Sequence, residues 1–162
     1  MDLIEQVKSK LIEYDKKDIA RIGHAMRVHS FARFIAEAEG LDAETCQVIE
    51  IAALLHDIGI HAAIEKYGSK DWKYQEQEGP VIARELLSNI DISEKAKERV
   101  CYLISKHHTY NNIESLDYQI LIEADNIVKI GDEGYTEKIV KDLLERLIRT
   151  ETGTMLINQF YL

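Results

Sequence analysis

The chain has 162 residues, 46% of them hydrophobic, and a formal net charge of -9. That length is typical of one domain that can bury a core without disulfide bonds. The negative charge and the lack of a Lys/Arg cluster argue against binding a nucleic-acid polymer, because phosphate contacts need a basic patch. No apolar run approaches the roughly 20 residues of a membrane span. The start MDLIEQVKSK lacks a signal-peptide core. We therefore expect a cytoplasmic protein without a membrane partner.

Apolar residues recur at helical spacing along the whole chain, which predicts an all-α fold in a single domain over residues 1–162. Gly40 is expected to end the second helix, and Pro80 to stand in the first turn of the fifth. The polar segment 69–79, which holds the only Trp, is predicted to be a mobile loop or helix start on the substrate side. In chain order, the predicted helices cover about residues 2–15, 18–39, 43–57, 60–66, 80–89, 93–108, 116–130, 135–149 and 152–160.

Several imidazoles and carboxylates continue the apolar stripes of these helices, so they are predicted to point inward. The doublet His56-Asp57 closes the apolar run IAALLHDIG, where Gly59 is expected to let the backbone turn away. A buried Asp there costs several kcal/mol of desolvation unless a cation or hydrogen-bond donors compensate it. We therefore expect a positive group beside Asp57. The inward-pointing set comprises His24, His56, Asp57, His107, His108 and Asp125.

The order of a His, then His-Asp, then a distant Asp resembles the metal signature of the HD superfamily of phosphohydrolases. GHAMRVHSFARFIA is similar to the family's first-helix pattern, AALLHDIG to its signature and LIEADNIV to its terminal Asp segment. EGPVIARELL and ISKHH resemble two further family blocks. The similarity runs from about Arg21 to Val128, and residues 135–162 form a helical C-terminal extension beyond it. The extension is expected to pack on the core, with a homodimer left open.

The resemblance implies that His24, His56, Asp57 and Asp125 are ligands of one divalent ion. Two imidazoles and two carboxylates suit Mn, Fe, Co, Ni or Zn better than Mg or Ca. Such an ion would lower the pKa of a bound water and stabilise charge on a phosphate under attack. Asp57 is also expected to orient the attacking water.

His107 and His108 are candidate catalytic residues that contact the phosphate or hold a second ion. The alternative, equally open for them and for His61, is a core histidine with satisfied hydrogen bonds. Members with two metals usually carry a further His where this chain has Gln75, and an amide oxygen is a poor transition-metal ligand. Ile60 stands where some dinuclear members have a Lys. The pattern therefore favours one metal over two.

These features predict a metal-dependent phosphohydrolase acting on a small phosphate ester, with a nucleotide or nucleoside phosphate as first guess. Lys73, Lys106 and Arg27 are candidates to help hold the phosphate, although Arg27 could equally pair with a carboxylate. Glu65 and Glu78 lie within sequence reach of the site, but nothing assigns either as the general acid.

Two other functions are compatible with the same fold. One is a mixed-valent di-iron oxygenase, which needs two further histidines, so Gln75 counts against it. The other is a non-catalytic, metal-binding regulatory module. The complete set of four predicted ligands counts against a module that has lost its metal site. Metal binding alone, however, does not establish catalytic activity.

Overall fold

The computed structural model describes all 162 residues and contains nine α-helices and no strand, which confirms the predicted all-α fold. No single helix is long and apolar enough to cross a membrane. The helices are α1 (Leu3–Tyr14), α2 (Ile19–Ala38), α3 (Ala43–Leu55), α4 (Ile60–Tyr67), α5 (Trp72–Leu86), α6 (Glu94–Lys106), α7 (Leu116–Glu133), α8 (Glu137–Arg146) and α9 (Glu151–Tyr161).

Short polar side chains start most of these helices, because they accept hydrogen bonds from backbone N–H groups that have no partner in the first turn. Asp42, for example, accepts from Thr45 N at 2.7 Å at the start of α3. Gly40 follows α2 with φ of +78°, a left-handed conformation that glycine adopts without strain, so its predicted role at this helix end is confirmed. The residues that cap helices in this way are Asp2, Asp18, Asp42, Asp71, Ser93, Thr136 and Thr150.

Helix α3 lies at the centre of the fold, where it contacts α1, α2, α6 and α7. Its residues Ile49, Ile51, Ala52 and Leu55 are completely buried in a cluster of 36 hydrophobic side chains. A helix that is apolar on all sides packs in this way, because every face has a partner. The His56-Asp57 doublet, which directly follows α3, therefore lies near the middle of the molecule.

Helix α5 begins eight residues earlier than the sequence predicted, so the prediction that Pro80 stands in its first turn is wrong. Of the two alternatives for residues 69–79, a loop or a helix start, the structure shows the helix start. Asp71 accepts a hydrogen bond from Lys73 N, and the helix runs from Trp72 through Pro80 to Leu86. Proline lacks the N–H that an interior helical position normally donates. Packing compensates for this loss, because Gln75 and other side chains of the first two turns are buried.

The C-terminal helix α9 packs on α7 and α2. Tyr161 Oη donates a hydrogen bond to Ile127 O at 2.7 Å, and Phe160 contacts Phe31 edge to face with ring centroids 5.7 Å apart. Phe160 is nevertheless 49% exposed. The extension thus packs on the core as predicted, while a homodimer stays a prediction.

Candidate metal centre

His56 and Asp57 lie in the short turn between α3 and α4, which is bent by 41°. The backbone turns at Gly59 as expected, but its φ of -81° is an ordinary helical value, so the turn does not use the conformational freedom of glycine. Its role is close packing. A Cβ at Gly59 would lie 2.6 Å from Gly79 N and 2.8 Å from Gln75 O, so α4 and α5 can approach here only because the side chain is absent.

Two buried histidines are held in the same tautomer by backbone carbonyls. His56 Nδ1 donates to Ala53 O at 2.7 Å, and His107 Nδ1 donates to Ile104 O at 2.6 Å. A carbonyl oxygen can only accept, so Nδ1 carries a proton, and Nε2 is the nitrogen of each ring that is left to hold a proton or to bind a metal ion. Both Nε2 atoms are buried and have no hydrogen-bond partner. This arrangement is typical of metal-binding histidines.

The structure brings the four predicted ligands together at one point. His56 Nε2 lies 3.2 Å from Asp57 Oδ2 and 3.2 Å from Asp125 Oδ1. His24 Nε2 lies 3.0 Å from Asp125 Oδ1 and 3.5 Å from Asp57 Oδ2. The ligand atoms of His24, His56 and Asp57 all lie within 4.8 Å of one another. Four donors from α2, the α3–α4 turn and α7 therefore surround a space of atomic size.

A second group of possible ligand atoms lies beside the first and shares Asp57. Asp57, His107 and His108 offer atoms within 4.8 Å of one another, with His107 Nε2 3.3 Å from Asp57 Oδ1. Gln75 Nε2 donates to Lys70 O at 2.6 Å, which turns its Oε1 to within 3.2 Å of His108 Nε2. Since that amide oxygen can only accept, His108 Nε2 is the donor. Nε2 of His108 is therefore hydrogen-bonded to Gln75, the residue that stands where two-metal members of the family have a further His.

His24 has a carboxylate behind it. Its Nδ1 lies 3.5 Å from Asp132 Oδ2, and Arg27 Nη1 lies 2.5 Å from the other oxygen of Asp132. A carboxylate on the far nitrogen orients a ligating imidazole and fixes its tautomer. Of the two roles left open for Arg27, the structure shows the pairing with a carboxylate.

The charges at the centre hold one another in the ionised form. Burial opposes the ionisation of Asp57 and Asp125, but neighbouring groups, above all His56, outweigh it, so the pKa of both carboxyls lies well below its usual range. Burial also opposes protonation of His56, but the two carboxylates raise its pKa to about 10. Burial and the charges of His107 and Lys129 lower the pKa of His108 to about 3, which keeps that ring neutral.

A cavity of about 570 Å³ opens over His24 and Asp57. Three basic residues line it, namely Arg21, Lys70 and Lys129. Arg21 Nη1 lies 2.9 Å from Asp57 Oδ2, and Lys129 Nζ lies 2.9 Å from Asp125 Oδ2. The candidate centre is thus reached from solvent through a passage that carries positive groups.

A family model that describes the HD domain matches residues 21–148. The chain belongs to the HD domain family. The chain also resembles the crystal structure of a predicted HD superfamily hydrolase from an uncultured Thermotogales bacterium, with a TM-score of 0.70 and 25% sequence identity over 97% of this chain and 84% of the other. No curated protein was found to match.

The residues of this HD domain fit a metal ion. His56 Nε2 and His107 Nε2 are buried polar atoms without a hydrogen-bond partner, and most buried polar atoms in proteins have one. Without a metal ion, the proton on His56 balances part of the charge of the two carboxylates. A divalent cation in the same space would displace that proton and bind the freed Nε2 lone pair. Imidazole nitrogen with carboxylate oxygen is a donor set suited to Mn, Fe, Co, Ni or Zn.

Sequence reasoning missed the basic residues of the cavity in this HD domain. Lys73, Lys106, Glu65 and Glu78 do not line it. Glu78 instead accepts a hydrogen bond from Lys66 at 2.5 Å.

A usable signal for two of the missed residues was present in the spacing. Arg21 precedes His24 by three residues, and Lys129 follows Asp125 by four, so each shares a helix face with an inward-pointing residue. Lys70 lies in the turn between α4 and α5 and had no such signal.

Proposed function

We propose that this HD domain is a metal-dependent phosphohydrolase that acts on a small phosphate ester, with a nucleoside phosphate as the first candidate. One observation carries the proposal: the partnerless Nε2 atoms of His56 and His107 face the carboxylates of Asp57 and Asp125, and Asp57 lines an open cavity. Membership of the HD domain family and the likeness to a predicted HD superfamily hydrolase support it.

The charge of the cavity agrees with a metal that works together with an anionic substrate. Four acidic residues line it against three basic ones, so the protein groups alone do not favour a phosphate. A divalent ion reverses this balance and attracts the anion. The acidic lining residues are Asp18, Asp57, Asp132 and Glu133.

His24, His56, Asp57 and Asp125 would hold the ion. When bound, such an ion supplies a water of lowered pKa and a Lewis acid for a phosphoryl oxygen. Asp57 also orients the attacking water, because only this carboxylate of the pair lines the cavity. His108 lines it as well and is placed to contact the phosphate, whereas His107 is buried behind Asp57.

His61 is the proton donor that we assign to the leaving group. It lies on α4, one turn after Asp57, lines the cavity and is half exposed. Its Nε2 lies 2.9 Å from Asp18 Oδ2, while Asp18 Oδ1 is fixed by Arg21 N. As the bond from phosphorus to the leaving oxygen breaks, a protonated His61 gives its proton to that oxygen. The attacking water leaves its hydroxyl on phosphorus and releases its other proton to solvent, from which His61 is protonated again.

The test is metal analysis of protein purified without chelator, followed by assays on nucleoside monophosphates, sugar phosphates and phosphodiesters with several divalent ions. Asp57→Ala should abolish hydrolysis, since it removes a ligand and the residue that orients water, while the helical circular-dichroism spectrum persists. Asp91→Ala, in an exposed loop between α5 and α6, is the matched control and should keep full activity. If Asp57→Ala hydrolyses at the wild-type rate, the mechanism is wrong.

A further inference from the structure

A shallow second cavity of about 410 Å³ lies beside the first. His108 lines both, so the two spaces are neighbours. The metal-centre cavity has mostly polar and charged lining residues, whereas the second one has two large aromatic rings. The second cavity is lined by Trp72, His108, Thr109, Tyr110 and Asn111.

Trp72 contributes little to the hydrophobic core. It is the only tryptophan of the chain, and 54% of its surface is exposed, although tryptophan is usually highly buried. Tyr110, on the other side of the cavity, is 42% exposed. Aromatic rings left exposed beside a polar site are characteristic of ligand binding, because they offer a flat apolar surface at low cost in side-chain entropy.

The two sides of this cavity are fixed to each other. Trp72 stands in the first turn of α5, and Glu76, one turn later, accepts hydrogen bonds from His108 N at 3.0 Å and from the Thr109 hydroxyl at 3.0 and 3.1 Å. Tyr110 Oη accepts from Asn126 Nδ2 on α7 at 3.2 Å. The segment with Tyr110 is therefore held against the helix that carries Trp72, and a cavity whose two sides are fixed in this way lowers the entropy cost of binding.

We infer that the second cavity is an aromatic subsite that stacks the planar ring of the substrate on Trp72, which makes nucleoside phosphates the preferred class over sugar phosphates. This inference rests on the proposed function, because the phosphoryl group is taken to lie in the first cavity. Because His108 lines both cavities, we place the base of such a substrate in the second one, beside Trp72. Any of the planar bases can stack on an aromatic side chain. A sugar phosphate has no ring system to stack.

The single tryptophan makes the subsite observable without turnover. Metal-loaded protein is titrated with a nonhydrolysable nucleoside 5′-phosphonate, ribose 5-phosphate and inorganic phosphate, with fluorescence excited at 295 nm, where only Trp72 contributes. The phosphonate should quench the emission and shield it from acrylamide, whereas the other two probes leave both unchanged. Equal responses to all three probes, or none to the phosphonate, would overturn the inference.

A pair of variants separates stacking from general damage. Trp72→Leu should raise the Kd of the nucleoside phosphonate by about tenfold, measured by calorimetry, while Trp72→Phe keeps most of the affinity. Phe34→Leu on α2 removes a ring of similar exposure outside both cavities and should change nothing. An unchanged Kd in Trp72→Leu would refute the subsite.

The same experiments distinguish the two proposals. Hydrolysis of phosphate esters without selective quenching would leave the proposed function standing and remove the subsite. Selective quenching with no ester hydrolysed would keep the subsite and remove the proposed function.

Discussion

The partner of the second ring nitrogen distinguishes a structural histidine from a ligand. His29 is buried, but its Nε2 lies 3.0 Å from Glu50 Oε1 on α3, so it links two helices. His56 and His107 have the opposite arrangement: Nδ1 donates a hydrogen bond to a backbone carbonyl, and Nε2 has no hydrogen-bond partner. Burial alone would not separate these residues. The hydrogen bond on the far nitrogen therefore decides which imidazoles are available to a cation.

The role of His61 can be tested through the leaving group of the substrate. In His61→Asn no side chain can give a proton to the leaving oxygen, so kcat/KM for alkyl phosphates should fall by about 10²- to 10⁴-fold. Hydrolysis of p-nitrophenyl phosphate should change little, because p-nitrophenolate leaves without a proton. The measurement is the dependence of kcat/KM on the pKa of the leaving group in the two proteins.

A histidine outside the cavity provides the comparison. His29→Asn should leave the ratio of alkyl to aryl hydrolysis unchanged, since His29 contacts Glu50 and not the substrate. If His61→Asn lowers both rates equally, His61 has a structural or binding role and does not donate the proton.

At the level of single residues, the sequence predicted which side chains meet but not how they are oriented. His24, His56, Asp57 and Asp125 could be placed on apolar helix faces by spacing, and the structure brings them together. Their use as ligands stays a prediction. The tautomers depend on carbonyls three residues earlier in the chain, and the amide of Gln75 depends on Lys70 O, so neither follows from hydrophobic periodicity.

Among the helices, the contact of α4 with α5 depends on two glycines. In Gly59→Ala the new Cβ would meet the backbone of α5 at 2.6 Å, and backbone cannot move aside as a side chain can. We expect a loss of about 1–3 kcal/mol in the free energy of unfolding, typical of an overpacked site. Urea denaturation followed by circular dichroism measures it.

Gly23 provides a matched control in the interior of α2. A Cβ there meets nothing within 4 Å, so Gly23→Ala should stabilise the protein by roughly 0.5–1 kcal/mol through helix propensity alone. Should Gly59→Ala be as stable as wild type, the close approach of α4 and α5 is not a constraint on the fold.

We expect Gln75 on α5 to limit the number of metals that the protein binds. Wild-type protein should bind close to one transition metal per chain, because Gln75 presents an amide oxygen to His108. Gln75→His adds an imidazole there and should raise the metal content toward two in elemental analysis. Gln77→His adds one on an exposed face of the same helix and should not. Two stoichiometric irons in the wild-type protein would contradict the prediction of one metal and favour the alternative function, a di-iron oxygenase.

Prediction of the helices from the sequence succeeded where periodicity was strong and failed where packing overrode a local signal. The predicted boundaries of α3 and α6 lie close to those observed. Pro80 is normally a sign of a helix start, but in α5 it is an interior residue. Asp71 and a run of Gln and Glu, which are good helix formers, extend the helix before it. Contacts between α5 and its neighbours, which a single sequence does not show, decide the outcome.

In the whole molecule, the fold carries charge into its centre. Asp125 on α7 is 1% exposed, and His56, directly after α3, is completely buried; the buried apolar residues of both helices belong to the hydrophobic core. Several kcal/mol of desolvation oppose each buried charge that is left without compensation. Arg21 and Lys129 offset part of this cost through ion pairs with Asp57 and Asp125. A bound cation would contribute the remainder, so folding and metal binding should be linked.

Chelation therefore tests the centre through stability. A ligand present at 100 times its Kd stabilises the folded state by about 2.7 kcal/mol. In a domain of this size, 1 kcal/mol shifts Tm by about 2–4 °C, so removal of the ion should lower Tm by roughly 5–10 °C. Differential scanning calorimetry before and after chelation, with readdition of Mn or Zn, measures the shift and its reversal. Asp125→Asn should melt at the same temperature with and without chelator, because it weakens the site itself. A wild-type Tm that is unchanged or higher after chelation would mean that Asp57 and Asp125 are not joint ligands of a tightly held ion.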